Sequence, residues 1–281
     1  VVKQITFHVQ QNTTPERLKR ILRFVAGDER AAANKSALAI ECGLAVSVLD
    51  KVVFPFVRQT GLLDSLHGSL TPLGQEVHRV SEDSPSLFAE AIHYILYTSY
   101  SFDASKRFSW AYAKMVDTLW RSGERVLDGT VTAQLVGMIV DEATQTFEVP
   151  VEKVAFSRKS VQGVLNWLRA LDPPGIQHEG NHEVFRRRYF CPIPAFLWAV
   201  DFLYRLNETP YGVRLFLSEE RVEQICKLCV LDPTGLDNVL ALSKRIYDYE
   251  RGSFFDYGTT GGFGRWVLLA KPFSLGDAVS R

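Results

Sequence analysis

Apolar positions recur at helical spacing in several successive stretches, each closed by Gly or Pro. Thr14-Pro15 reads as an N-cap followed by a first helical position, and Leu18, Ile21, Leu22 and Val25 predict a helix stopped at Gly27-Asp28. A second helix is expected from about Lys35 to Cys42, with Ala37, Leu38 and Ile40 apolar and Gly43 supplying the tight turn after it. A third starts near Val46, gathers Val48, Val52, Phe56 and Val57 on one side, and closes at Gly61. Pro55 falls inside it. Without a backbone N–H, and with its ring against the preceding turn, it predicts a kink or break near Lys51 to Phe54. Asp64 to Leu70 is short enough for two clipped strands about Gly68, and Thr71-Pro72 caps a further helix.

From Ser84 to Ser122 the pattern is helical and aromatic, including Phe88, Tyr94, Tyr97, Trp110, Tyr112 and Trp120, a stripe that reads as core. Thr132 to Phe147 predicts another helix, and Ser157 caps one carrying Val161, Val164, Leu165, Leu168 and Leu171. Pro173-Pro174-Gly175 ends it. "IQHEG-NHEVFRRRYF" then reads as a β-hairpin turning at Gly180-Asn181. Helices follow at Ile193 to Leu206, Glu219 to Leu231 and Gly235 to Tyr247. "FFDYGTTGGFGRWVLLAKPF" reads as two strands joined by a Gly-rich loop. The fold class expected is mainly α with small β-hairpins, as tandem winged-helix-like units around a helical middle. The expected segments are 1–80, a winged helix-turn-helix; 81–130, an acidic aromatic-rich helical linker bundle; 131–212, a second winged-helix-like unit; and 213–281, helices with the Gly-rich hairpin.

The order helix, helix, Gly turn, helix, hairpin, helix in "ALAIECGLAVSVLDKVV…GLLDSLHGSLTPLGQEV" resembles the winged helix-turn-helix superfamily of prokaryotic DNA-binding proteins. A winged helix ending in "LTPLGQEV", followed by "SEDSPSLFAEAIHYILYTSY", Trp110 and a second helix-turn-helix at Ser157 to Leu171, is similar to the bacterial family called domain of unknown function 4007. That resemblance covers most of residues 14–200. It implies a setting beside DNA-modification and phage-defence genes, including sulfur-transfer enzymes of the phosphorothioation type, and it carries over no catalytic residue.

Charge sharpens the picture. The 32 Lys and Arg balance 32 Asp and Glu, which counts against a strong sequence-independent nucleic-acid binder. The balance is uneven along the chain. Residues 1–80 hold ten basic and seven acidic side chains, 81–150 five and ten, 151–212 eight and six, and 213–281 nine and nine. Both helix-turn-helix patterns lie in the mildly basic stretches. No apolar run reaches the roughly 18 residues of a membrane span. Val1 to Gln11 lacks the pattern of a signal peptide, and four Cys give no disulfide framework, so a cytoplasmic protein with no membrane partner is expected.

Candidate contacts to double-stranded DNA in the first unit are Ser47, Lys51 and Arg58 on the third helix, with Asp50 beside them. In the second unit they are Arg158, Lys159, Gln162 and Asn166, whose Arg, Gln and Asn suit paired hydrogen bonds to bases. Arg186, Arg187 and Arg188 follow on the hairpin. Strand alternation would turn Arg186 and Arg188 to one face, where they would track phosphates, or else serve as a solvated edge. This triplet is the densest basic cluster and makes the second unit the better expected DNA reader.

Cys226-Lys-Leu-Cys229 with His178 and His182 raises a zinc site, but a CxxC inside an amphipathic helix reads better as buried small hydrophobes, and no metal is expected. "GTTGGFGR" lacks the Lys-Ser/Thr of a P-loop, and no catalytic motif or cofactor is recognisable. The expected function is a non-catalytic DNA-binding component of a bacterial defence or modification system, with partner proteins. The alternative is an adaptor or scaffold without nucleic-acid affinity.

Overall fold

Thr14 accepts the Arg17 amide on its hydroxyl and starts α1 (Pro15–Gly27), which buries Leu18, Ile21, Leu22 and Val25 as the apolar spacing requires. It follows a short extended start, β1 (Ile5–Thr6), and precedes α2 (Lys35–Glu41), capped by Asn34. Gly43 turns the chain at φ +61° into α3 (Val46–Val48). Of the kink or break expected near Lys51 to Phe54, the helix shows an irregularity at that place without a break. A five-residue π turn (Leu49–Val53) leads directly into α4 (Phe54–Gln59), with Pro55 in its first turn. The Phe54 amide reaches back five residues to the Leu49 carbonyl, so the wider turn takes up the register that a proline disrupts in a regular helix. Leu63 bridges Leu70, and the Asp64 amide donates to the Ser69 carbonyl, which closes a small hairpin. Thr71 then caps α5 (Pro72–Asp83) through the Gly74 amide. A methyl on Gly74 would lie 2.0 Å from the Leu62 carbonyl oxygen, so only glycine lets α5 pack this close to the hairpin.

The computed structural model describes residues 4–27, 34–64, 68–248, 253–261 and 264–278. It is mainly α with small β-hairpins. The stop at Asp28 and Gly262 of the Gly-rich loop lie outside the described residues. After α5, α6 (Phe88–Phe102) and α7 (Arg107–Ser122) pack together with Phe88, Trp110, Tyr112 and Trp120 buried.

From α7 onward one connectivity occurs twice. α7 leads to β2 (Arg125–Leu127), α8 (Gly129–Phe147), the short β3 (Val154–Ala155), α9 (Arg158–Ala170), and the hairpin β4 (Ile176–Glu179) and β5 (His182–Phe185). β2 pairs antiparallel with β5, giving the order β2-β5-β4. The chain continues through α10 (Ile193–Leu206), β6 (Leu215–Phe216), α11 (Glu219–Leu228), α12 (Leu236–Tyr247), and the hairpin β7 (Phe255–Thr260) and β8 (Gly264–Leu269). β6 pairs antiparallel with β8, giving the order β6-β8-β7. Apart from β3, which pairs with β1 outside this sheet, both runs are helix, strand, helix, helix, hairpin, with the first strand laid on the last. β2 lies within the stretch expected as a linker bundle, and its hydrogen bonds join that stretch to the second unit.

The hydrophobic core is one cluster extending from Phe7 to Leu275. A long-range tie is β1, which pairs in parallel with β3, Ile5 against Val154 and Thr6 against Ala155. Phe7 then sits 5.6 Å from the Trp110 ring and 5.1 Å from Phe147. Residues 5–11 are therefore built into the second unit. Among the described residues, no helix is long and apolar enough to cross a membrane.

Candidate nucleic-acid interface

The arginine triplet does not form the surface that strand alternation predicts. β5 ends at Phe185, and Arg186 to Arg188 run on as extended chain that bridges Leu231. Arg186 donates to both oxygens of Glu124 at 2.9 and 2.8 Å and also pairs with Glu179. Arg187 lies flat on Trp120, 4.2 Å from the ring centroid, and its Nε donates to the Trp120 carbonyl at 2.7 Å. Arg188 is buried. It donates to both oxygens of Glu90 at 2.5 and 3.0 Å and to the Cys229 carbonyl. The expectation that Arg186 and Arg188 track phosphates from one face is corrected: one is neutralised by two carboxylates and the other has no solvent face.

α9 divides in the same way. Arg158 and Lys159 are exposed in its first turn. Gln162 and Asn166 are half-buried, because the chain start lies across this side of the helix. Asn166 donates to the Gln11 carbonyl at 3.0 Å and accepts from Arg169 at 2.8 Å, while Gln162 bonds Asn166. A methyl on Gly163 would meet the Val9 carbonyl oxygen at 2.4 Å, so the segment rests directly on the helix backbone. His8 reaches the Ser160 hydroxyl. Gln162 and Asn166 thus serve an internal contact, which corrects their expected availability to base edges.

The first unit keeps its candidates outside. Ser47 and Lys51 are exposed and Arg58 is half-buried on the continuous 46–59 helix. Asp50 is engaged by Lys35 at 2.5 Å, and that hydrogen bond holds its carboxyl below the usual range. Neither Lys51 nor Arg58 has a carboxylate partner among the described residues. Arg58 rests over Phe54 at 5.8 Å and shares a cavity wall with Lys106 and Arg107 at the start of α7. These two cations were missed in the sequence because "SKRF" sits within an aromatic helical stretch. Two adjacent basic residues in an otherwise acidic segment were the available signal.

Three further basic side chains near Trp120 are matched by acids. Arg121, Arg187 and Arg265 line a groove of about 630 Å³ beside Trp120. They face Glu223 at 3.5 Å, Asp232 at 3.7 Å and Asp237 at 2.9 Å respectively. Cys226 and Cys229 are buried next to Cys191; burial pushes the Cys226 thiol up to about 12, followed by the influence of Cys191. Among the described residues, no group of three His, Cys, Asp or Glu side chains is arranged to hold a metal. The Gly-rich stretch joins β7 to β8, as the sequence pattern predicts. No family model, curated protein or solved structure matches this chain.

Proposed function

We propose that this protein is a non-catalytic double-stranded DNA-binding protein built from winged-helix-like units, with the third helix of the first unit as its reader. The observation that carries this reading is the placement of Ser47, Lys51 and Arg58. They lie on one uninterrupted helix, and its two cations form no ion pair among the described residues, while Arg186 is held in a surface pair with Glu124 and Arg188 in a buried one with Glu90. Unpaired cations on a helix offered to solvent are the chemistry that phosphate contact requires. The repeated helix, strand, helix, helix, hairpin connectivity supports the same class, since it is the winged-helix order. The resemblance to domain of unknown function 4007 makes the proposed setting a bacterial DNA-modification or phage-defence system with partner proteins.

The covered side of α9 and the exposed Tyr189 and Phe190 favour the second reading, an adaptor that uses the same units to hold a protein partner. Fluorescence anisotropy with random-sequence duplexes at low salt separates the two. Saturable binding that weakens linearly in log[salt] is expected for the DNA reader. Absence of binding at micromolar protein would leave the adaptor.

A further inference from the structure

A cavity of about 420 Å³ lies where the end of α4 meets the start of α7, and its wall includes Arg58, Asp103, Ser105, Lys106 and Arg107. Three of these are cations, and among the described residues none of the three has an ion-pair partner. Asp103 is the one carboxylate in the wall. Its Oδ1 accepts the Ser105 amide at 3.0 Å and the Ser105 hydroxyl at 2.6 Å, so it is committed to closing the turn.

The guanidinium groups are held in place. Arg58 lies over Phe54 at 5.8 Å and Arg107 over Phe147 at 5.3 Å, which covers one face of each and leaves the N–H edges for polar partners. The Nε atoms of both are buried and have no hydrogen-bond acceptor. Each such orphaned donor costs about 1–3 kcal/mol, and like charges crowded into one cavity add to that cost. An anion in the cavity relieves the like-charge crowding. α7 adds to this field: it is a 16-residue helix whose N-cap, Lys106, supplies no side-chain acceptor, so its positive end also points to this wall.

We propose that this cavity binds a phosphate monoester, with Arg58 and Arg107 as forked donors and Lys106 as the point charge. Arginine forks match the spacing of phosphate oxygens, and the cavity exceeds one phosphate group, leaving room for the sugar of a nucleotide or of a 5′-terminal nucleotide. The site shares Arg58 with the duplex-reading helix but does not rest on that reading, because its chemistry is a convergent pocket and not a groove contact.

The test is calorimetric titration of the full chain with inorganic phosphate, then with a short 5′-phosphorylated single strand and its 5′-hydroxyl counterpart, at ionic strength matched with chloride. Saturable phosphate binding is expected, lowered at least tenfold in Lys106→Gln/Arg107→Gln and weakened less in Arg107→Lys, which keeps the charge and loses the fork. Preference for the 5′-phosphorylated strand over inorganic phosphate assigns the source as a nucleic-acid end; equal binding assigns free phosphate or a small ester. Lack of saturable binding to the unmodified protein overturns the proposal, whatever the variants do. Lys51→Ala separates the two sites: it is expected to weaken duplex binding and leave the phosphate titration unchanged.

Discussion

Arg188 and Glu90 form a two-pronged ion pair, Nη1 to Oε1 at 2.5 Å and Nη2 to Oε2 at 3.0 Å, with both side chains buried. The pair pins the chain after β5 to α6. The same guanidinium also donates to the Cys229 carbonyl at the end of α11, where the helix presents its negative pole. Three elements far apart in sequence therefore converge on one cation. Glu90 is in turn committed to the Asp172 amide at 3.1 Å.

Removing one partner leaves an uncompensated buried charge, which typically costs about 3–5 kcal/mol. Arg188→Ala is expected to lower the melting temperature by about ten degrees in a chain of this size. Glu90→Gln should do nearly as much, and the double variant should fall little further than the worse single one, because both remove the same interaction. Thermal unfolding of the four proteins gives the coupling. Strictly additive losses would mean that the two side chains do not act as a pair.

Arg188 also shows where sequence reading stops. Alternation along a strand sorts side chains to two faces, and an arginine is assigned to the wet one unless a buried acid is known to await it. Glu90 gives no such sign, being an acidic residue inside a helix full of aromatics. Local signals fared better. The Thr14-Pro15 and Thr71-Pro72 caps, the Gly43 turn and the Ile193–Leu206 helix are written in adjacent residues, and the structure reproduces them. The 219–231 helix was expected three residues too long because Val230 adopts φ +51° at its end. There the Leu231 amide returns to the Cys226 carbonyl, an ending that ordinarily selects glycine. In the last third the strand laid on the hairpin was not legible for another reason. β6 is two residues long, and its pairing with β8 spans the whole unit.

The chain start on α9 predicts a sensitive glycine. A Cβ at position 163 would stand 2.4 Å from the Val9 oxygen and 2.8 Å from its carbon, both backbone atoms that cannot rotate away. Gly163→Ala is expected to cost about 1–3 kcal/mol, as overpacking does. It should also loosen the segment from Phe7 to Gln11. Limited proteolysis with N-terminal sequencing reads this directly: faster cleavage before residue 12 is the expected result. Unchanged cleavage and unchanged melting would show that the segment does not bear on the helix.

His93 predicts a pH dependence. It is buried, its Nε2–H donates to the Leu228 carbonyl at 2.7 Å, and its Nδ1 accepts the Tyr112 hydroxyl at 2.7 Å. A carbonyl can only accept, so this tautomer follows. Burial pushes the imidazole down to about 4, only partly offset by Glu90. Because the folded value lies below the unfolded 6.5, the unfolded chain binds the extra proton between them. The stability held above pH 6.5 is therefore lost as pH falls toward 4, by up to about 3 kcal/mol. Melting temperature against pH for the unmodified protein and His93→Gln checks it. The variant starts lower at pH 7.5 and should lose less on acidification; parallel curves would remove His93 as the source.

The sharpest functional contrast is between Arg186 and the two cations Lys51 and Arg58. Arg186 already faces Glu124 and Glu179, so a phosphate would have to displace carboxylates to reach it, whereas Lys51 and Arg58 form no ion pair among the described residues, and the nearby Asp50 is taken by Lys35. Binding of duplex DNA to Lys51→Ala/Arg58→Ala is expected to weaken across all sequences, with the slope of log affinity against log[salt] shallower by about two. Arg186→Ala should leave both affinity and slope unchanged, although the most arginine-rich stretch of the chain includes it. Anisotropy titrations at four salt concentrations decide between them. If Arg186→Ala flattens the slope and the Lys51/Arg58 variant does not, the reading helix belongs to the second unit and the internal ion pairs of the triplet open when DNA arrives.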